Sequence, residues 1–478
     1  MKSIGERWVL ISFELFLLAF TVAQLVLGIF SYFHLSFTSD GMYYFSAIRN
    51  LVDGLGFYEG PVFEYLLGNH SYVTLYLLTP LVAVFRSPIV LLVTSVMCHV
   101  SATYLLFASS RRLGLSFLVS WLLGVSYLFY PISFYLLFTN PFLFQPDSLL
   151  PPLVLGMIYA ILVEKQRSFL ICWCLLLLTK EEYLVIALPL LLWFWLIAQA
   201  QGKHFFFSRR MFSRIWTSCI LVATLMIIIL LYYRNLNQLH YAVKSAHFHY
   251  LLNKRALWMG VIAIGKIILP VTPVLLLGST DKAEKKLLMA SVGLLVGRIL
   301  GSILIYGEAP YVHWCNAIIP PVLFGTSLFI IHRKQKICVG DRPIIISLFF
   351  VLTLILWQQR YNLTFNNLVA VDWTMKSKQY DELEKLEAQL PPPKPKEAML
   401  TSEYLMPPFL QRRSHIGMVF FQFSPIKVQE ELLRNVRFIL ISKLEANPNF
   451  SKKIMQIRES KMYLESANFL ILELKPNS

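Results

Sequence analysis

Charge is scarce in this chain. Asp, Glu, Lys and Arg make up 15% of its 478 residues, while 56% are hydrophobic. With a mean hydropathy of +0.60, that balance excludes an ordinary soluble enzyme and describes a polytopic membrane protein. Acids are the scarcer sign: 27 Asp and Glu against 43 Lys and Arg leave a formal charge of +16. In an apolar chain such an excess marks cytoplasmic loops, so it gives no case for nucleic-acid binding. Cysteine is rare as well. Cys98, Cys172, Cys174 and Cys219 lie inside apolar runs and read as small buried hydrophobes, not as a disulfide framework or metal site. There is no Walker loop, no GxGxxG after a strand, no HExxH and no GxSxG. Nucleotide-driven transport and zinc hydrolysis are left without support.

Long apolar runs are what the chain does have. The first, from Val9 to Phe30, exceeds the roughly 7–15 residues of a secretory core and ends in bulky "GIFSYFHL". It reads as an uncleaved first transmembrane helix. Further spans are expected near 88–108, 115–138, 148–163, 169–179, 183–199, 216–233, 257–277, 287–306, 316–331 and 343–358. The total is about eleven. The loops "SSRRLG", "EKQRS", "QGKHFFFSRRMFSR", "STDKAEKK" and "HRKQKICVGDR" all carry Lys or Arg, which places them and the N-terminus in the cytoplasm. The basic outer loop "YRNLNQLHYAVKSAHFHYLLNKR" breaks this pattern. An odd number of spans leaves the C-terminus outside.

Residues 31–87 form a long first outer loop within a membrane domain of residues 1–359. In "FTSDGMYYFSAIRNLVDGLG", Tyr44, Ile48, Leu51 and Leu55 recur at helical spacing. Ser46, Arg49, Asn50 and Asp53 take the other side. Ser39 or Asp40 can cap the start, and Gly54 and Gly56 can end it. The pattern predicts an amphipathic helix on the membrane surface. The apolar piece "SYVTLYLLTPLVAVF" is too short to span comfortably and reads as a second interfacial or half-inserted helix. From about residue 360 charges become frequent. A charged helix, a Pro-rich link and the strand-like runs "VRFILIS" and "NFLILELK" predict a small extracytoplasmic α/β domain over 360–478.

Ionisable groups at or inside a membrane are costly, which makes them functional candidates. Asp40 stands at a helix N-terminus, where the dipole favours the anion. That suits orienting an acceptor group or holding a divalent cation. A plain helix cap explains it as readily. Asp147, in "FQPDSLLPP", has the same two readings, and His70 in "GNHSYVT" is otherwise a solvated loop residue. Lys180, Glu181 and Glu182 interrupt an apolar stretch and form either a tight outer turn or the edge of a cavity. Lys266 and Arg298 lie deep in expected spans. Snorkelling can explain Lys266, whereas Arg298 should face a cavity, an acid or a lipid phosphate, the last suited to its planar fork. Glu308, Tyr311 and His313 join the outer side.

Together these pieces resemble the domain of unknown function 2079 family of membrane proteins. The resemblance rests on Asp40-Gly41 in the first outer loop, on His70 before "TLYLLTPL", on Gln145-Pro146-Asp147, on Lys180-Glu181-Glu182, on "YVHWCNAIIPP" and on the tail. It covers nearly the whole chain. Where relatives carry a His before the Pro-acid pair, this sequence has Gln145. The family is grouped with the GT-C glycosyltransferases, polytopic enzymes that use polyprenyl-phosphate sugars on the outer face of the membrane. The resemblance implies an inverting glycosyltransferase of the cell (inner) membrane, its partners a polyprenyl-phosphate sugar donor, membrane lipid and an acceptor. It maps the catalytic acids onto Asp40 and Asp147. Arg298 and Lys266 would hold the lipid phosphate, and His70, Lys180, Glu181, Glu182 and His313 would line the site. A lipid or small-solute transporter and a non-catalytic scaffold are the alternatives.

Overall fold

The computed structural model describes residues 4–34, 40–60, 64–65, 67, 72–130, 144–234, 282–306, 317–335, 373–394, 397–402, 405–409, 414–417, 426–443 and 460–475. The spans expected near 257–277 and 343–358 lie outside these residues.

The chain opens with helix α1 (Ile4–Phe33) and the short α2 (Asp40–Val52), followed by a small hairpin, β1 (Tyr58–Gly60) and β2 (Glu64–Tyr65). A 3-10 turn at Val73–Leu78 runs into α3 (Thr79–Phe85), then α4 (Ile89–Arg112) and α5 (Phe117–Leu128). A second 3-10 turn, Pro146–Leu149, leads into α6 (Leu150–Leu162). There follow α7 (Gln166–Thr179), α8 (Glu182–Val185), α9 (Ala187–Ala200), α10 (Arg209–Arg234), α11 (Lys282–Tyr306) and α12 (Ile319–Gln335). The tail holds α13 (Trp373–Gln389), β3 (Ala398–Thr401), β4 (Ser414–Gly417), α14 (Ile426–Arg434), β5 (Val436–Ser442), β6 (Ser460–Glu465) and β7 (Phe469–Leu474).

Among the described residues three helices are long and apolar enough to cross a membrane: Leu10–Phe33, Ile89–Arg112 and Arg209–Tyr233. Others are shorter. The 14 residues of α7 rise about 21 Å, less than the roughly 30 Å of a hydrocarbon core. Leu15, Leu18 and Val22 of α1 and Ile220, Leu221 and Ile228 of α10 point outward, as lipid-facing residues do. The inner side of α1 packs Phe13, Leu17 and Phe20 against Phe107 and Leu128. Phe13 and Phe107 stack with centroids 4.0 Å apart. One polar cluster inside the bundle is paired. The Trp193 indole N–H donates to Ser291 Oγ at 3.0 Å and Thr326 Oγ1 at 3.1 Å, tying α9 to α11 and α12.

The expected second interfacial helix forms as one short apolar helix over Val73–Phe85, 3-10 in its first half and α in its second. It ends at Arg86, whose φ of 47° is left-handed. The helix read from "FTSDGMYYF" forms as expected and stops at Gly54 and Gly56, whose φ angles are 82° and 71°. Its environment differs from the expectation. Every residue from Gly41 to Asn50 is buried, so α2 is not a surface helix with one wet side. The β1–β2 hairpin and α3 close over it. The polar side finds partners there: Arg49 Nη2 donates to Asn50 Oδ1 at 2.8 Å, and Asn50 Nδ2 to Tyr58 O at 2.6 Å.

The tail builds a mixed sheet of order β4-β3-β5-β7-β6. β4, β3 and β5 run parallel, and β7 is antiparallel to both β5 and β6. Alternation along β5 sends Ile439 and Ile441 toward α14 residues Leu432 and Leu433. Phe438 and Leu440 face the other way and join one core with Leu383 of α13, Tyr32 of α1 and Met42 and Phe45 of α2. The Tyr32 hydroxyl donates to the Pro407 carbonyl at 2.9 Å. The sheet is thereby fixed to the same end of the bundle as α2.

Candidate functional site

Four segments meet at that end: α2, the Val73 turn, the Pro146 turn and the C-terminal end of α7. Pro146 sits in the first turn of its 3-10 helix, where its missing N–H is not needed. The next residue, Asp147, is fully buried. The Tyr183 hydroxyl donates to its Oδ1. Its Oδ2 is buried without a hydrogen-bond partner, as is the neighbouring Ser148 Oγ. Ser46 Oγ on α2 and Thr74 Oγ1 on the Val73 turn are in the same condition. Each orphaned group costs about 1–3 kcal/mol in a dry interior. Unpartnered buried polar atoms occur elsewhere among the described residues as well, but those of Ser46, Thr74, Asp147 and Ser148 lie on segments that meet, which suits a polar ligand.

An aromatic wall adjoins the acid. Tyr44 meets Tyr72 edge-on at 5.5 Å and Phe144 at 6.5 Å. The Tyr44 hydroxyl donates to Gln145 Oε1 at 3.2 Å, so α2 is bonded directly to the residue two before Asp147. Burial first, then the neighbouring Tyr44, Asp147 and Glu181, raises the Tyr72 phenol well above its ordinary value. Tyr72 is therefore a permanent protonated donor within electrostatic reach of two carboxylates.

The Lys180-Glu181-Glu182 turn sits beside this group. Lys180 is 2% exposed, and its Nζ pairs with Glu182 Oε1 at 2.8 Å. A buried lysine of this kind needs its acid, because an unpaired ammonium in the interior is costly. Glu181 is half-buried and acts on Tyr72. The turn thus builds an internal ion pair and at the same time supplies one carboxylate to the site.

The structure brings together Asp147, Lys180, Glu181 and Glu182 of the residues singled out from the sequence. Asp40 opens α2, and its side chain is outside the described set, as is that of Arg298 on α11. His70, Lys266, Glu308, Tyr311 and His313 lie outside the described residues. Sequence reasoning passed over Tyr44, Tyr72 and Tyr183. Each sits in an apolar run, where a tyrosine reads as core. Their nearness in sequence to Asp40, His70 and Glu182 was the available signal. Gln145 is fully buried and bonded to Tyr44, so it serves to fix α2 on the Asp147 turn. Among the described residues no three His, Cys, Asp or Glu side chains gather as a metal site.

The fold has a solved counterpart. ArnT from Cupriavidus metallidurans, crystallised with undecaprenyl phosphate, superposes with a TM-score of 0.56 at 10% sequence identity, over 95% of this chain and 97% of that one. The chain therefore shares the fold of that protein. The chain belongs to the family described as predicted membrane protein (DUF2079), whose model matches residues 36–469. No curated protein matches it.

Proposed function

We propose that the chain is a membrane glycosyltransferase that moves a sugar from a polyprenyl-phosphate donor to an acceptor at the end of the bundle capped by α2. The observation that carries this reading is the buried Asp147 carboxylate, one oxygen held by Tyr183 and the other free, on a turn bonded to α2 through Gln145 and Tyr44. The fold shared with ArnT, which was crystallised with undecaprenyl phosphate, supports the donor class.

In this reading the acceptor hydroxyl attacks the anomeric carbon, the bond from that carbon to the phosphate oxygen breaks, and polyprenyl phosphate leaves with the electron pair. Asp40 orients the acceptor hydroxyl and takes its proton. Asp147 and Glu181 receive hydrogen bonds from sugar hydroxyls, and the Tyr44, Tyr72 and Phe144 rings offer a flat apolar wall to a sugar face. Arg298 and Lys266 neutralise the departing phosphate, as fixed cations do for a developing anion. His70, Lys180, Glu182 and His313 complete the lining. The site faces the outer side of the inner membrane, with the N-terminus in the cytoplasm and the C-terminus outside.

The test is to incubate purified full-length protein with radiolabelled polyprenyl-phosphate sugars and membrane acceptor. Label should leave the lipid with wild-type protein and stay on it with Asp40→Asn or Asp147→Asn, both expressed at normal levels in the membrane. Label that stays on the lipid with wild-type protein across a panel of sugars would overturn the proposal.

A further inference from the structure

The opposite end of the bundle carries a second built surface. Helices α4 and α6 run away from the Asp147 end, so the α6–α7 turn and the α9–α10 connection lie together at the far end. The two are bonded to each other. Gln166 Nε2 donates to Phe206 O at 2.6 Å, and Lys203 pairs with Glu164. Phe206 and Phe207 pack edge-on against the buried Phe169. Phe205, the first of the three consecutive phenylalanines, turns out instead and is 90% exposed. Beside it Arg209, Arg210 and Arg214 are exposed at the start of α10, where the first turn holds no acid.

In water this arrangement is unfavourable on two counts. An exposed phenylalanine forgoes the roughly 1.5–3 kcal/mol that its burial would gain. Arg210 and Arg214 stand one helical turn apart and repel one another, and Arg209 and Arg210 in the first turn also oppose the positive end of their own helix. Both costs vanish in one environment. Arg209 begins one of the helices long and apolar enough to cross a membrane, so the patch stands where α10 enters the bilayer. An aromatic ring is favoured at the acyl boundary there, and basic side chains are favoured at anionic headgroups. A soluble anion would meet the arginines and leave Phe205 in water.

We propose that Phe205, Arg209, Arg210 and Arg214 form a binding site for anionic phospholipid, with the ring in the acyl boundary and the guanidinium forks on the headgroup phosphate. The site is independent of the transferase reading, since it lies at the other end of the molecule.

The test uses full-length protein purified in mild detergent, with bound lipid counted by native mass spectrometry. Phosphatidylglycerol and phosphatidylcholine are offered at equal concentration. The wild type should retain phosphatidylglycerol and release phosphatidylcholine. Arg209→Gln with Arg210→Gln should weaken phosphatidylglycerol binding about thirtyfold, from roughly 1 kcal/mol per basic residue at an anionic surface. Phe205→Ser should weaken it less. The double Arg→Lys variant should keep most of it, and Arg434→Gln, in the tail sheet, should keep all of it. Added salt should release the lipid from wild-type protein, which tests the charge contribution even where a variant folds poorly. Equal retention of both lipids, unchanged binding by the double Gln variant, or displacement by inorganic phosphate alone would overturn the proposal.

Discussion

The Tyr183 hydroxyl donates to Oδ1 of Asp147, joining residues 36 apart in the chain. Tyr183 directly follows the Lys180–Glu182 ion pair, so the turn that buries that pair also sets the position of the acid. Tyr183→Phe removes the donor and leaves a buried carboxylate with neither oxygen bonded to it. Hydrogen bonds to charged groups contribute about 1.5–3 kcal/mol. The variant should melt at lower temperature in detergent and lose transfer activity. Lys180→Met should also destabilise, by removing the cation of a buried ion pair. Unchanged melting of Tyr183→Phe would mean that Asp147 does not depend on this contact.

Tyr44 and Gln145 are coupled over 101 residues of sequence by one hydrogen bond at 3.2 Å. Tyr44→Phe and Gln145→Leu should each destabilise, and together they should cost less than the sum. A double-mutant cycle should return a coupling of about 1 kcal/mol. Strict additivity would show that this bond does not couple α2 to the Asp147 turn. In a transfer assay, both variants should weaken donor binding more than they slow the chemical step, because they displace a wall and not a reacting group.

These contacts divide what the sequence disclosed from what it concealed. The bounds of α2 were legible because they follow from local chemistry: helical spacing of Tyr44, Ile48 and Leu51, and glycines at positive φ after it. Strands β5 and β7 were legible as compact β-branched and aromatic runs. Asp147 was legible as an acid where an apolar helix begins. Its surroundings were not, because Tyr183 bonds to it, Tyr44 bonds to the nearby Gln145 and Tyr72 packs on Tyr44, three separate segments that leave no local period. The burial of Arg49 escaped for the same reason. Its partner Asn50 is anchored by Tyr58 on the hairpin, a contact that no helical wheel displays. Burial, the largest influence, lowers the Arg49 guanidinium to about 10, a sign of how fully the hairpin covers it.

Trp193 offers a test of the bundle itself. Its indole N–H is shared between Ser291 and Thr326, which also bond to each other at 2.6 Å. Thr326→Val leaves Ser291 as acceptor and should cost little, near the roughly 0.6 kcal/mol average for polar contacts between membrane helices. Ser291→Ala combined with Thr326→Val orphans the indole and should cost about 1–3 kcal/mol. Gly325→Val should be worse tolerated than its helical position suggests. A Cβ there would stand 2.6 Å from Ile158 Cδ1 and 3.0 Å from the Trp193 ring, which its hydrogen bonds hold in place. Overpacking of this kind costs about 1–3 kcal/mol. Thermal melting in detergent ranks the three variants, and a double variant no worse than Thr326→Val would remove the network from the stability account.

Glu382 on α13 clamps the turn between β6 and β7. It accepts from the Asn468 backbone N–H at 2.8 Å and from the Asn468 side-chain amide at 2.7 Å. Burial pushes its pKa up, but the bonds from Asn468 and Ser466 outweigh that, and the net shift is downward. A carboxyl depressed by folding stabilises the folded state above its unfolded value, near 4.3, and loses that contribution as pH falls through the folded value. Docking of α13 on the sheet should therefore be constant from neutral pH to about 5 and weaken below the ordinary glutamate range. Hydrogen exchange at the Asn468 amide, corrected for its intrinsic rate, should report this loss in wild-type protein. Glu382→Gln should show lower protection at neutral pH and a flat profile through the acid range, because its amide does not titrate. Parallel profiles for the two proteins would assign the acid sensitivity of this turn to another group, with Glu473, depressed by Lys461 and Arg437 against its own burial, the next to substitute.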